Sequence, residues 1–293
     1  MNVLAIYDLA DDRLKVQVNS LGAEMCRISD LYTNSEYLWR GEERYWKRFA
    51  PILFPVVGSM RDKQYTYKGV TYHMPQHGFA RDLEFSLVSR AVDEIWFELK
   101  DNEETLQMYP FHFSLRIGYR LKGRTIEVTW VVRNTGDETM YFSIGGHPAF
   151  YCPEPKKHQT DYMFSFDTAR KLVFDKLNDA GLIATDDNTL LLNGGLLPIT
   201  RGMFDEDALI FENNQAHRVS ILRMNYTPYV TVEFDAPVFG LWSPAKKNAP
   251  FICIEPWYGR ADRADFAGNL EDREWGNRLE PGDLFRRSYR ITV

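Results

Sequence analysis

Two histidines and one glutamate in this sequence stand where neighbouring residues restrict the direction of a side chain. His147 lies between a Gly-Gly pair and a proline, His77 precedes a glycine, and Glu255 precedes a proline. Glycine allows backbone conformations that other residues avoid and proline fixes φ, so each side chain is held in one direction. A carboxylate and imidazoles held in this way are suited to general acid–base catalysis.

Each of these residues also has a structural interpretation. A histidine in a turn can bond a backbone carbonyl group, and a buried carboxylate can pair with an arginine such as Arg260 or Arg263. In the segment 251–257, strand alternation places Cys253 and Glu255 on one face. The functional interpretation is a general base in a cleft, with its pKa set by burial and by a nearby histidine. The presence of two histidines with the glutamate favours this second interpretation.

Alternating apolar residues predict that strands carry these side chains. Such runs occur at residues 13–18, 23–29, 64–67, 70–74, 85–89, 95–99, 113–121, 125–133, 139–144, 208–211, 218–224, 229–234, 239–242, 251–254 and 285–293. Gly, Asn and Asp turns separate them, and almost no helical periodicity is present. The pattern is typical of an all-β protein, and we predict a large antiparallel β-sandwich with little helix. Residues 153–202 show no clear pattern, and residues 261–275 are predicted to wrap the surface.

No linker divides the two halves of the chain, because neither a Pro/Ser-rich stretch nor a change in composition separates them. Residues 1–293 are therefore predicted to form one domain. The clearest hairpin comprises residues 64–74, with Arg61 before it and His77 after it. Both residues are expected near the open end of this hairpin.

The composition excludes several classes of partner. The formal net charge is -6 at pH 7 and no sustained run of Lys and Arg is present, so nucleic acid is not an expected partner. The N-terminal residues lack the features of a signal peptide, and no apolar run approaches the roughly 18 residues of a membrane span. We expect a soluble, cytoplasmic protein without membrane contact.

The three cysteines, Cys26, Cys152 and Cys253, are widely separated and show no C-x-x-C spacing. They predict neither a disulfide framework nor a zinc site, so reduced thiols and no bound metal are expected. Cys152 follows His147 closely, but no motif marks it as a nucleophile. We interpret it as a buried side chain without a chemical role.

Three segments, taken in order, resemble motifs of the aldose 1-epimerase (galactose mutarotase) family, and they are nearest to its LacX-like branch. They are Gln-His77-Gly-Phe-Ala-Arg81, Gly-Gly-His147-Pro-Ala-Phe and Ile-Cys-Ile-Glu255-Pro-Trp. The resemblance extends over essentially the whole chain. It implies a galactose mutarotase-like supersandwich with a sugar cleft across one sheet. The implied reaction interconverts the α and β anomers of an aldohexose without a cofactor.

The resemblance also implies a role for each matching residue. Glu255 matches the general base that removes the proton of the anomeric hydroxyl group, and His147 matches the general acid that protonates the ring oxygen. The C1–O5 bond then opens to the free aldehyde, and rotation about C1–C2 precedes reclosure to the other anomer. His77 and Arg61 match residues that bind the substrate. Asp207 matches the aspartate that binds sugar hydroxyl groups.

One alternative concerns the substrate. The segment from His77 to Arg81 also resembles the hexose-6-phosphate mutarotase branch, in which arginines contact the phosphate group. Arg81 and Arg61 are the candidates here, although the tryptophan expected shortly after this motif is replaced by Phe85. The aromatic residues Trp257, Trp242 and Phe79 either form an apolar platform for the sugar or belong to the core.

Two further alternatives concern the activity. A non-catalytic carbohydrate-binding protein would keep the cleft without turnover, and a glycoside hydrolase would need two carboxylates, with Asp207 as the partner of Glu255. The joint presence of His147 and Glu255 favours the epimerase, because sugar binding alone requires no acid–base pair. The sequence leaves both a monomer and a homodimer open.

Overall fold

The computed structural model describes residues 5–152, 158–169, 171–184 and 188–293. Within these ranges the regular structure is almost entirely β-strand, with one α-helix, α1 (Glu103–Met108), and four short 3-10 helices at Arg61–Lys63, Ala80–Asp82, Gln159–Asp161 and Leu270–Asp272. The strands in chain order are β1 (Ile6–Ala10), β2 (Leu14–Asn19), β3 (Met25–Asp30), β4 (Ile52–Leu53), β5 (Gln64–Tyr67), β6 (Val70–His73), β7 (Ser86–Arg90), β8 (Glu94–Lys100), β9 (Phe113–Lys122), β10 (Thr125–Asn134), β11 (Met140–Phe142), β12 (Ile144–Gly146), β13 (Ala149–Tyr151), β14 (Tyr162–Phe166), β15 (Lys171–Phe174), β16 (Asn188–Leu191), β17 (Leu196–Pro198), β18 (Leu209–Phe211), β19 (Arg218–Arg223), β20 (Pro228–Phe234), β21 (Val238–Trp242), β22 (Phe251–Tyr258), β23 (Asn277–Leu279) and β24 (Leu284–Thr292).

Two antiparallel sheets form the body of the protein. The larger has nine strands in the order β17-β14-β19-β20-β24-β10-β9-β8-β7, and the smaller has the order β18-β21-β22-β12-β4, with β13 also paired to β22. Their inner faces meet in the main core, where the rings of Trp130 on β10 and Tyr258 on β22 lie 6.2 Å apart. Phe166 on β14 and Phe239 on β21 make a second contact across the sheets, at 6.5 Å. The predicted all-β antiparallel sandwich is confirmed.

Strand β22 is buried on both faces, and its alternation separates two environments. Ile252 and Ile254 point into the main core between the sheets. Phe251 and Trp257 belong to two smaller apolar clusters on the opposite face of the strand. Glu255 lies between Phe251 and Trp257 in the sequence, and its side chain is 1% exposed. The outer face of the smaller sheet therefore carries the carboxylate of Glu255, and apolar side chains of the two clusters surround it.

Two local features differ from the predicted strand pattern. The predicted strand 139–144 is divided, because the Ser143 N–H donates to the carbonyl group of Pro55 at 2.7 Å. As a result β11 pairs with β23, whereas β12 pairs with β4 and β22. The helix α1 was not predicted, although Asn102 caps it by accepting the Thr105 N–H at 2.9 Å. No helix in the described ranges is long and apolar enough to cross a membrane.

The predicted surface position of residues 261–275 is wrong for part of this segment. Ala261, Asp262 and Arg273 are all buried. Burial of the two charged residues is possible because Arg273 Nε donates to Asp262 Oδ1 at 2.6 Å, and Arg273 Nη2 donates to the carbonyl group of Arg260 at 2.8 Å. This ion pair fixes the segment that follows β22 against the rim of the smaller sheet.

We expect Arg273→Ala to lower the free energy of unfolding by about 3–5 kcal/mol, because it leaves the buried carboxylate of Asp262 without its charged partner. Urea denaturation measures the change. Arg278→Ala is the matched control, since the Arg278–Glu280 pair is exposed and such pairs contribute about 0–1 kcal/mol. Equal losses in the two variants would contradict the structural role of the buried pair.

Candidate active site

A cleft of about 210 Å³ opens on the outer face of the smaller sheet. It brings together five of the six residues predicted from the sequence, which are His77, Arg81, His147, Asp207 and Glu255. They come from distant parts of the chain, so the pairing of the strands and the loops between them creates the site.

The centre of the cleft is a direct contact between His147 and Glu255. Nε2 of His147 lies 3.2 Å from Oε2 of Glu255, and the two side chains are 8% and 1% exposed. The backbone N–H of His147 donates to the carbonyl group of Pro51 at 3.1 Å, just after β12 pairs with β22. The histidine is thereby held beside the strand that carries the glutamate.

The alternative interpretation of Glu255 as the partner of an arginine is not what the structure shows. Arg260 contacts Glu212 and Glu274 instead, and Arg263 lies nearest to Asp265, at 3.7 Å. Both carboxylate oxygens of Glu255 are buried, and their described polar neighbours are Nε2 of His147, 3.2 Å from Oε2, and the side chain of Trp257. A buried carboxylate in this state is costly unless a ligand or a proton satisfies it.

Burial moves the two pKa values of the pair in opposite directions. It raises the pKa of Glu255 well above its ordinary value, and the negative charge of Asp207 adds to the rise, whereas the nearby Trp257 side chain opposes it. Burial lowers the pKa of His147 to about 3, and the positive charge of Arg81 adds to the fall. Because burial disfavours a charge on either group, it favours the neutral pair, in which one proton is shared across the contact between the two side chains.

His77 stands beside His147, with ring centres 5.7 Å apart. The Gly58 N–H donates to Nδ1 of His77 at 3.0 Å, so the neutral ring carries its proton on Nε2. Burial, with the charge of Arg81 adding to it, lowers the pKa of His77 well below its ordinary value. His77 is therefore a neutral ring that offers one N–H donor to a ligand. Gly78 is required after it, since an added Cβ would lie 2.2 Å from the carbonyl oxygen of Phe54.

Three tryptophans form the apolar walls of the cleft. The ring of Trp46 stacks on that of His147 at 4.8 Å, and the ring of Trp242 meets it edge-on at 5.3 Å. Trp257 also lines the cleft, whereas Phe79 lies in the main core. The platform interpretation thus fits Trp242 and Trp257, and the core interpretation fits Phe79. The sequence did not indicate Trp46 as a residue of the cleft, because it lies in an aromatic segment without regular spacing.

Beside Arg81, a polar residue of the cleft lining, lies Arg48, which the sequence did not indicate. Arg81 lines the cleft and donates from Nη2 to the carbonyl group of Gln76 at 2.6 Å. Arg48 lies next to it and donates from Nη2 to Asp82 Oδ1 at 2.8 Å. Burial, with the charge of Arg48 adding to it, lowers the pKa of Arg81 to about 10. A second positive charge, that of Arg48, therefore lies beside Arg81 and outside the cleft lining.

Asp207 and Arg61 occupy different positions relative to the cleft. Asp207 lines it in a left-handed backbone conformation, with φ of 74°, and its Oδ1 accepts the N–H of Ala208 at 2.8 Å. Arg61 lies outside the cleft lining, where its guanidinium group donates to the carbonyl group of Ala264 and its backbone N–H donates to Asp262 Oδ2 at 3.2 Å. A role of Arg61 in substrate binding stays a prediction.

The described part of the chain contains one group with the spacing of metal ligands. Ligand atoms of His147, Cys253 and Glu255 lie within 4.8 Å of one another. The sequence could not indicate this group, because His147 is distant in sequence from the other two residues and strand pairing brings it beside them.

The fold is that of the galactose mutarotase-like proteins. The family described as Aldose 1-epimerase matches residues 5–286. The chain belongs to the aldose 1-epimerase family, and this membership implies a sugar substrate. The resemblance drawn from the three sequence motifs is confirmed.

Several known proteins are similar to this chain over nearly its whole length. The chromosomal LacX protein of Lactococcus lactis subsp. lactis is 33% identical over 297 residues, which cover 98% of each chain. A galactose mutarotase related enzyme from Lactobacillus acidophilus is 37% identical, with a TM-score of 0.92 over 98% of this chain and 97% of that one. A galactose mutarotase-like protein from Lactobacillus casei ATCC 334 is 27% identical, with a TM-score of 0.91 over 98% and 99% of the two chains. The sequence comparison thus supports the LacX-like branch, and the structural comparison supports the galactose mutarotase-like fold.

Proposed function

We propose that the protein is an aldose 1-epimerase-like isomerase that interconverts the α and β anomers of an aldohexose. The observation that carries the proposal is the contact of 3.2 Å between His147 Nε2 and Glu255 Oε2 inside the cleft. Mutarotation proceeds slowly in water, so an enzyme needs only a positioned base and a positioned acid, each typically worth about 10²–10⁴ in rate.

The shared proton of the pair matches what ring opening requires. Glu255 takes the proton of the anomeric hydroxyl group while His147 gives a proton to the ring oxygen, and both oxygens are bonded to the same carbon. The reactive state has an anionic Glu255 and a cationic His147, so its net charge equals that of the neutral pair. Hydrogen bonds from the substrate therefore only have to move one proton from Glu255 to His147. The net charge of the buried site does not change. Reclosure runs the two transfers in reverse.

The remaining residues of the cleft orient the sugar. His77 offers its Nε2–H donor beside the ring oxygen, and Asp207 offers acceptor oxygens to hydroxyl groups. Trp46, Trp242 and Trp257 present apolar faces to the C–H surfaces of the ring. The volume of about 210 Å³ is below the roughly 300–1,000 Å³ of pockets for larger ligands. This size favours a single sugar ring over the oligosaccharide of a glycoside hydrolase.

Magnetisation-exchange NMR tests the proposal, because it measures the rate of anomer interconversion at equilibrium. Glucose, galactose, glucose 6-phosphate and a few other aldoses are compared with and without protein. Acceleration of at least one sugar is the expected result. A folded protein that accelerates none of them would overturn the proposal and would favour the non-catalytic carbohydrate-binding protein.

A sugar phosphate is the second candidate substrate, and the paired charges of Arg81 and Arg48 favour it. Both guanidinium groups contact the exposed carboxylate of Asp82, and the buried carboxyl group of Glu24 is the other acidic group whose charge acts on them. In the same experiment, faster exchange of glucose 6-phosphate than of glucose would select this substrate. Arg81→Gln should then slow the phosphorylated sugar more than the free one.

The indole ring of Trp257 lies against Gly145 and Gly240. A larger residue at either position is expected to change the position of this ring. A Cβ atom added at Gly240 would lie 2.7 Å from the ring, so Gly240→Ala should displace the Trp257 ring from its position in the cleft wall. We expect kcat/KM to fall by about tenfold or more, since displacements of about 1 Å in a site can cost 10²-fold. Gly136→Ala is the control, because its nearest contact would be an ordinary 3.5 Å. Unchanged kinetics in the Gly240 variant would show that the ring does not position the substrate.

A further inference from the structure

Cys253 lies beside the acid–base pair but has no part in the proposed reaction. It precedes Glu255 by two residues on β22, so both side chains project from the same face of the strand. The thiol, a nitrogen of His147 and a carboxylate oxygen of Glu255 lie within 4.8 Å of one another, and all three residues are buried. Sulfur, nitrogen and oxygen donors in this combination are the ligands that zinc takes in proteins.

The spacing of the pair matches one edge of a zinc tetrahedron. Two ligands bound to zinc at about 2.0–2.1 Å lie about 3.3 Å apart in this geometry, and His147 Nε2 is 3.2 Å from Glu255 Oε2. A thiolate at about 2.3 Å from zinc lies about 3.6 Å from its neighbouring ligands. Given the limit of 4.8 Å among the three atoms, the sulfur of Cys253 has at most about 1.2 Å to move.

The polar atoms of the pair indicate that this point is built to receive a ligand. Oε1 of Glu255 and Nδ1 of His147 are buried without a hydrogen-bond partner among the described residues, whereas Oε2 of Glu255 faces Nε2 of His147 at 3.2 Å. Buried polar atoms in native proteins are nearly always bonded, so the buried carboxylate of Glu255, with its unpartnered Oε1, calls for an occupant. A sugar hydroxyl group meets this need in the proposed reaction, and a cation meets it when no sugar is bound.

We infer that His147, Cys253 and Glu255 form a zinc site that overlaps the acid–base pair, with the fourth position open to the cleft. A bound ion occupies the atoms that exchange protons with the sugar, so zinc acts as a reversible inhibitor of the proposed reaction. Binding displaces the thiol proton and the proton that His147 and Glu255 share, because zinc ligands bind in their deprotonated forms. The binding of zinc by these three residues does not depend on the proposed function, whereas the inhibition rests on it.

Cobalt(II) tests the site without any measurement of activity. Cobalt(II) accepts the same tetrahedral ligands as zinc, and a bond from thiolate to cobalt absorbs in the near ultraviolet. Titration of the metal-free protein with CoCl2 should develop this absorption with one ion per chain, and ZnCl2 should remove it, whereas MgCl2 should not. In Cys253→Ala the absorption should be absent. The affinity for zinc should fall at least about tenfold, since even the loss of a residue that only supports a ligand costs 10–100-fold.

Cys152→Ala is the matched control, because Cys152 is also buried but lies outside the group of three ligands. It should keep both the absorption and the affinity for zinc. Cys253→Ser serves as a second variant if Cys253→Ala unfolds, since it retains the size of the side chain. Absence of the absorption in the unaltered protein, or its persistence in Cys253→Ala, would overturn the site.

The exchange assay then tests the overlap with the acid–base pair. Zinc should slow anomer exchange in the unaltered protein and in Cys152→Ala, and a chelator should restore it. Equal inhibition of Cys253→Ala would refute the overlap. If no sugar is accelerated at all, the proposed function fails, while the cobalt titration still decides the metal site.

Discussion

Replacing Glu255 by glutamine should slow anomer exchange by about 10²–10⁴-fold, the range typical for loss of a positioned general base. The amide has nearly the size of the carboxylate but cannot take the proton of the anomeric hydroxyl group. It leaves the surrounding tryptophans in place, so the sugar should still bind. Magnetisation-exchange NMR with the sugar that the unaltered protein accelerates most measures the loss.

The same variant should fold at least as stably as the unaltered protein. Burial raises the pKa of Glu255 in the folded protein, whereas the unfolded chain ionises near the ordinary value of 4.5. The folded protein therefore binds more protons than the unfolded chain, and the stabilising contribution of this group is lost as the pH rises above 4.5. Glutamine carries no titrating proton. Chemical denaturation at about pH 4, 6 and 8 should show a stability difference that increasingly favours the variant.

Glu24→Gln is the control for Glu255→Gln. Glu24 is also buried, and its Oε1 accepts the N–H groups of Phe49 and Ala50 at 2.7 and 2.9 Å. It does not line the described cleft, so its replacement should affect stability and leave anomer exchange largely intact. Similar losses of exchange in the two variants would indicate a general effect of removing a buried carboxylate and would contradict the role of Glu255.

The strands could be predicted because burial of one face imposes alternation on the sequence. Leu14, Val16 and Val18 on β2 are all fully buried, and this pattern is visible without a structure. The division of β11 from β12 was not visible, because it depends on the bond from Ser143 to the carbonyl group of Pro55, a long-range contact. Local sequence therefore predicted which residues form strands and failed where a distant backbone group decides the pairing.

The site was predictable to the extent that its residues stand in recognisable local contexts. His77, His147 and Glu255 adjoin glycine or proline and match short motifs, and all three line the cleft. Trp46 and Arg48 belong to an irregular loop whose sequence carries no periodicity, so their approach to the cleft arises only from packing. The position of Cys253 next to His147 likewise depends on strand pairing, which spacing along the chain cannot express.

We expect His147→Gln to slow anomer exchange about as strongly as Glu255→Gln, by about 10²–10⁴-fold. Glutamine can place an amide near Glu255 but cannot deliver a proton to the ring oxygen. His112→Gln is the matched control, because His112 also contacts a carboxylate, that of Asp101 at 2.7 Å, on an exposed surface. That control should exchange sugars at the normal rate, and a comparable loss in it would contradict a specific role of His147.

The double variant His147→Gln/Glu255→Gln separates a concerted pair from two independent contributions. If the proton that leaves the anomeric hydroxyl group and the proton that reaches the ring oxygen belong to one coupled transfer, removal of either residue abolishes that transfer. The second substitution then costs little, and the double variant should be no more than about tenfold slower than either single variant. If the rate losses of the two single variants multiplied in the double variant instead, each residue would contribute to the rate independently of the other. The contact of 3.2 Å between their side chains would then serve to position them, and the single shared proton would not be the catalytic feature of the site.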